Sequence, residues 1–203
     1  LLLTAALGIL SLMVGKYPLT PGLVLSGDPM AVKVFTTLRI PRTCMALLGG
    51  FGLGIAGGVF QMVFHNPLAS PDIIGVSSGA SAGAAFGILF LPPSLFPALG
   101  TASCGLPPAL TFVLSSGALP VTLAAFTGGL LAVLLTLALG LLAPGKGSAS
   151  IVLAGIAVHS LAQTLLMGLK LLADPEKELA SIEYWLMGSL NGISLYRLPV
   201  TVL

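Results

Sequence analysis

Residues 43–64 read TCMALLGGFGLGIAGGVFQMVF, twenty-two in a row without a charged side chain. About 20 mostly apolar residues, wound as a helix, cross the hydrocarbon core of a bilayer, so this stretch predicts a membrane-spanning α-helix. Within it Gly50, Gly54 and Gly58 recur at every fourth position and fall on one face. Helices in lipid gain nothing from the hydrophobic effect and associate where small residues let backbones approach. That face is therefore a packing face. Gly52, Gly54 and Gly57 also match the dinucleotide-binding pattern, which requires a preceding strand and a helix N-terminus at the phosphate. Here the glycines sit mid-helix in an apolar run, and that reading is rejected.

The rest of the chain has the same character. Of 203 residues 56% are hydrophobic and 7% charged, and the mean hydropathy is +1.10. A soluble domain carries about a quarter charged residues; eight basic and six acidic side chains are too few to solvate a globule of this size. The expected class is all-α, a polytopic transmembrane helix bundle in the lipid bilayer. Six spans are expected, at about residues 1–15, 43–64, 73–91, 118–143, 151–170 and 195–203, with the first and last cut by the ends of the chain. Residues 15–42 are expected to form a polar, proline-containing loop. Ser70, Pro71 and Asp72 read as a helix N-cap, first position and acidic first turn. Asp174-Pro175-Glu176 should open a short surface helix with Tyr184 and Trp185 at interface depth.

The third span repeats the glycine stripe, with Gly75, Gly79, Gly83 and Gly87; the fourth carries a weaker one at Gly128, Ala132, Thr136 and Gly140. Gly75-x-Ser77-x-Gly79 and Gly79-x-Ser81-x-Gly83 match the nucleophile elbow of hydrolases without its strand-turn-helix context. An intramembrane hydrolase using Ser77 or Ser81 with His159 is the weakest of the functional alternatives. An ion-coupled secondary transporter or channel is the stronger one, and it would need ionisable groups within the spans, for which His159 is the candidate. Cys44 and Cys104 have no metal-ligand spacing and read as small apolar residues, with their pairing left open. The net charge of +2 comes without a basic stripe, so nucleic acid is not a partner.

Charges concentrate between spans. Arg39 and Arg42 frame Pro41 in Leu38-Arg39-Ile40-Pro41-Arg42. They can serve as interfacial anchors or as an electropositive docking point. Counting Lys and Arg in the loops would place the N-terminus outside, because cytoplasmic loops carry the excess of basic residues.

These punctuating residues also carry a resemblance. The Arg39–Arg42 segment is followed by a Gly/Ala-rich helix and then by Gln61, Asn66-Pro67-Leu68-Ala69, Pro71 and Gly75-Val76-Ser77-Ser78-Gly79-Ala80. Further on stand Leu153-Ala154-Gly155-Ile156-Ala157 and Tyr184-Trp185-Leu186-Met187-Gly188-Ser189-Leu190. In this order the motifs resemble the FecCD/BtuC family, the permeases of ABC importers for iron-siderophores, haem and cobalamin.

The resemblance implies about ten helices per subunit, of which roughly six are present, and an internal N-terminus, against the charge count. It implies a multi-pass protein of the bacterial or archaeal cytoplasmic membrane that moves a metal chelate, iron(III)-siderophore first, by ATP-driven alternating access. The chain itself would be no enzyme and hold no cofactor or metal. The implied partners are a second permease subunit, cytoplasmic ATP-binding subunits and an extracytoplasmic substrate-binding protein. Arg39 and Arg42 match the docking positions for that protein. Ser148, Ala149 and Ser150 match a cytoplasmic gate loop, and His159 and Gln163, on one face of the fifth helix, the pathway wall. Gln61, Asn66 and Pro67 match the motif turn. The coupling loop to the ATPase is expected beyond residue 203.

Overall fold

The structure is a computed structural model, and it describes residues 2–15, 17, 20–65, 67, 70–91, 119–143, 148–190 and 193. Among them all regular structure is helical. Three helices are long and apolar enough to cross a membrane, Pro29–Phe64, Leu119–Leu142 and Ala149–Leu172, and Val76–Phe90 is a shorter apolar helix. The expected sixth span at 195–203 lies outside the described residues, as do Cys104 and the stretch 92–118. The chain divides into two compact units, Leu1–Gly54 with Ser189–Leu203, and Ile55–Gly188.

In the first unit α1 (Leu2–Met13) precedes two short helices, α2 (Pro21–Leu25) and α3 (Pro29–Val34). Asp28 caps α3, accepting from the Ala31 amide at 3.4 Å, and Pro29 takes the first turn, where its missing N–H is no loss. A π-helical turn at Phe35–Arg39 then leads directly into α4 (Ile40–Phe64). The loop expected over residues 15–42 is thus helical from Pro29 onward. The span expected over residues 43–64 begins further upstream, and the helix runs through Pro41.

The reason lies one turn upstream. Proline cannot donate to the carbonyl four residues back and crowds it, and a widened turn relieves that clash. Here the Ile40 amide reaches back five residues to the Phe35 carbonyl. The Thr36 hydroxyl donates to the Val32 carbonyl at 2.8 Å, and Thr37 bonds likewise to Lys33. Such bonds to the turn before are typical where helices bend. Pro41 itself is fully buried.

The second unit holds the last turns of α4, a 3₁₀ turn at Pro71–Ile74, then α5 (Val76–Phe90), α6 (Leu119–Leu142), α7 (Ser148–Leu172) and α8 (Glu178–Met187). Its centre is the crossing of α5 and α6, where backbone meets backbone. A Cβ built on Gly83 would run into the Ala124 carbonyl, one on Gly79 would stand 2.7 Å from the Gly128 oxygen, and one on Gly87 2.9 Å from Ala124 Cβ. From the other side, a Cβ on Gly128 would stand 2.9 Å from Gly83 Cα. The contact is closed with a buried hydrogen bond, Thr136 Oγ1 donating to the Ile74 carbonyl at 2.9 Å. α7 joins through Gly140 and Gly155, whose added Cβ atoms would lie 2.9 Å from Ile151 and 3.0 Å from Ile74 Cα.

Gly75 departs from the stripe it was assigned to. It ends the 3₁₀ turn with φ +84°, a left-handed conformation that costs a side-chain-bearing residue roughly 1–2 kcal/mol. The Pro71–Ile74 turn and α5 are therefore separate pieces, and the Asp72 carboxylate ties them by accepting from the Ser77 hydroxyl. The short surface helix is present as α8: Glu178 bonds the Asp174 amide at 3.0 Å, and Ile182, 1% exposed, packs on Ala82, Ala85, Leu166 and Leu169. Lys170 pairs with Glu183 at 2.8 Å. Tyr184 and Trp185 are exposed.

The stripe on α4 is different. No described heavy atom lies within 4 Å of a Cβ built on Gly50, Gly54 or Gly58. Gly83→Ala should lower stability by about 1–3 kcal/mol, the usual cost of overpacking, whereas Gly54→Ala should be neutral. Thermal stability of both variants in detergent, followed by size-exclusion chromatography, checks this. A loss at Gly54 would mean that another helix covers that face of α4.

Candidate functional site

The predicted docking pair falls in the first unit. Arg39 leaves the π turn and folds its guanidinium over the end of α1. Nη1 donates to the Val14 carbonyl and lies 3.5 Å from the Ser11 carbonyl, and Nη2 donates to the Tyr17 carbonyl at 3.3 Å. The last carbonyls of a helix have no intrahelical donor, and a cation there is favoured by the helix dipole. Arg42, one turn further along, is partly buried, and its Nε is buried without a hydrogen-bond partner among the described residues. A buried unpaired donor costs about 1–3 kcal/mol, and more when charged. Both arginines border a cavity of about 370 Å³ together with Ser11, Tyr17, Leu38 and Thr43. The Ser11 and Thr43 hydroxyls stand 3.5 Å apart across it, joining α1 to α4.

The predicted gate, pathway and motif-turn residues lie in the second unit. Ser148, Ala149 and Ser150, assigned to a loop, form the first turn of α7. Small residues with no branch at Cβ suit either state, and the helix simply starts earlier than the apolar run that marks it. His159 is partly buried on α7, its backbone against the Gly75 turn and its Nδ1 buried without a partner among the described residues. Gln163, one turn on, is exposed. Ser160 and Thr164 offer less than their polarity suggests: each hydroxyl donates to its own helix, to Ile156 and Ser160, at 2.9 Å. Gln61 and Pro67 are exposed beside His65 in an open depression of about 570 Å³; Asn66 lies outside the described residues.

The serines of the hydrolase alternative are committed elsewhere. Ser78 donates to the Gly75 carbonyl at 3.0 Å, Ser81 to Ser77 at 2.7 Å, and Ser77 to Asp72. None of them bonds His159, so the nucleophile–base contact that such chemistry requires is not formed. Sequence reasoning missed the α1 cap made by Arg39. The only signal was the arginine's position two residues before a proline, which says nothing of where a flexible side chain folds.

The chain is similar to known proteins along nearly its whole length. The model of the FecCD transport family matches residues 3–203. The chain belongs to the FecCD transport family. It is 36% identical over 201 residues to the achromobactin transport system permease protein of Dickeya dadantii, covering 96% of this chain and 50% of that one. It is 33% identical over 183 residues to the cobalamin import system permease protein of Halobacterium salinarum, covering 87% and 42%. The molybdate import system permease protein of Haemophilus influenzae is 31% identical over 202 residues, covering 93% and 52%. A solved inward-facing structure of an ABC transporter assigned to the metal-chelate type superposes with a TM-score of 0.68 at 28% identity, covering 96% of this chain and 53% of that one.

This FecCD member spans about half the length of the curated relatives it matches. Family, all-helical class and apolar spans agree on a multi-pass membrane protein. The left-handed turn at Gly75 gives a local test. Gly75→Ala adds backbone strain and a Cβ 3.2 Å from the His159 amide, so a loss of about 1–3 kcal/mol is expected. Unfolding of the purified protein in mixed micelles would reveal it as a lowered midpoint.

Proposed function

We propose that this protein acts as the permease subunit of an ABC importer that carries a metal chelate into the cytoplasm, with iron(III)-siderophore the leading cargo. The observation that carries this reading is the family match across residues 3–203, a range that takes in Arg39–Arg42 and α7. A separate ATP-binding subunit would supply the energy, and an extracytoplasmic binding protein would deliver the chelate. A second permease subunit, identical or homologous, would complete the pathway. With the N-terminus inside, Arg39 and Arg42 fall on the outer side, where guanidinium groups suit acidic side chains of a binding protein. His159 and Gln163 would face the pathway, and the first turn of α7, Ser148 to Ser150, would narrow it at the cytoplasmic end.

Relatives named for achromobactin, cobalamin and molybdate leave three cargo classes to separate. The siderophore reading is supported by the achromobactin permease, at 36% identity. Competitive uptake of labelled iron(III)-siderophore, cobalamin and molybdate into proteoliposomes holding the full transporter decides between them. Uptake should require ATP on the ATPase side and stop when that subunit is inactivated. Accumulation driven by a proton or sodium gradient without ATP would instead establish the ion-coupled alternative. The double reversal Arg39→Glu with Arg42→Glu should weaken docking of the purified binding protein by at least about 30-fold, and unchanged affinity would sink the docking assignment.

A further inference from the structure

Residues 73–75, where the 3₁₀ turn ends, are held from two sides. On the α6 side the fully buried Thr136 donates its hydroxyl to the Ile74 carbonyl at 2.9 Å. The first main-chain bond of α5 runs from the Gly79 amide to the Gly75 carbonyl at 2.9 Å, one residue past Ile74. Among the described residues Thr136 is therefore the partner that keeps the Ile74 carbonyl paired. On the α7 side main chain rests on main chain. A Cβ on Gly155 would run into the Ile73 carbonyl and stand 3.0 Å from Ile74 Cα. One on Gly75 would lie 3.2 Å from the His159 amide nitrogen and 3.4 Å from His159 Cα. Gly155 and His159 are four residues apart, so a single turn of α7 sits on this segment. Close-packed contacts of this kind transmit displacement, and a shifted segment carries α7 with it.

We infer that Thr136 is a positioning residue for the pathway wall, its hydroxyl fixing the seat on which residues 155–159 of α7 rest. This builds on the reading of α7 as that wall. Thr136 acts through the turn and not by touching cargo, since it is fully buried on α6. Valine would match its shape and β-branching but has no donor. The Ile74 carbonyl would then be buried without a partner, and that penalty favours any shift that brings it a donor. Gly75, with φ +84°, gives the segment a joint at which to shift. α7 would follow, and His159, whose Nδ1 is buried in the intact seat, would be uncovered.

The test uses the full transporter in nanodiscs, with diethyl pyrocarbonate as the probe of histidine access. Mass spectrometry of the peptides reads modification of His159 against the exposed His65 in the same molecule. Thr136→Val should raise the ratio of the His159 rate to the His65 rate by at least about fivefold, the scale of one lost hydrogen bond. Thr136→Ser keeps the donor and should leave the ratio at its wild-type value. A ratio unmoved in Thr136→Val, whatever its melting temperature, would overturn the inference. Should Thr136→Val not be recovered folded, Thr136→Cys takes its place, because a thiol donates only weakly. There too a raised ratio supports the seat and an unmoved one overturns it. The underlying pathway reading is checked separately, by ATP-driven uptake of iron(III)-achromobactin, cobalamin and molybdate. Thr136→Val should raise KM for the cargo that accumulates, and Thr136→Ser should not. Wild-type KM in both His159→Ala and Gln163→Ala, beside a raised ratio in Thr136→Val, would refute the pathway reading and leave Thr136 a packing residue.

Discussion

The second unit depends on one contact, the place where α5 and α6 touch through main chain rather than side chains. Gly79, Gly83 and Gly87 on one helix face Ala124, Gly128 and Ala132 on the other, with no room for a methyl group at Gly83. Lipid tails are as apolar as leucine, so nothing expels these helices from solvent into each other. What holds them is dispersion over a close, flat surface, and dispersion falls away over fractions of an ångström. Everything else in the unit is arranged around that crossing. Thr136 reaches the Ile74 carbonyl only because the helices are this near, and α8 finds a seat for Ile182 only because α5 and α7 are already in place. Outward-facing Leu131, Leu153 and Leu161 stay exposed, as residues solvated by lipid or by further helices do.

Polar groups in such a setting are few and each must find an acceptor or donor close at hand. Most hydroxyls turn back on their own helix, which explains why Ser160 and Thr164 contribute little polarity to the α7 surface. The exceptions are the informative ones. Arg42 and His159 each bury a nitrogen with no partner among the described residues. Unpaired buried donors and acceptors are rare in folded proteins and call for an explanation. Here one such group lies in each of the two units.

Much of the architecture was legible beforehand because apolar length is a strong signal. The apolar runs at 118–143 and 151–170 became helices at Leu119–Leu142 and Ser148–Leu172. The glycine spacing on α5 pointed to its packing face at Gly79, Gly83 and Gly87, but the identical spacing on α4 meets no described neighbour, since spacing tells where a partner fits and not whether it is there. Gly75 fitted the same four-residue count while serving a left-handed turn. The helix expected from Thr43 begins upstream of Pro41, because a π turn backed by threonines accommodates a proline that usually opens or breaks a helix. The arginine pair was visible as two charges, but charge alone gave them one shared role. Their different geometry depends on where α1 ends, and no residue near Arg39 in sequence records that.

The π turn at Phe35–Arg39 has a further meaning when considered as length rather than as geometry. It holds one residue more than the α turn it replaces, so everything before it is rotated by about 100° relative to an uninterrupted helix. The segment from Asp28 to Val34 therefore presents a different side from the one its sequence phase would assign. This stretch of chain carries a spare residue, a place where an ancestral insertion could be absorbed without breaking the helix. It is also where a shift of register by a single residue could swing the α3 end while leaving the α4 span where it lies.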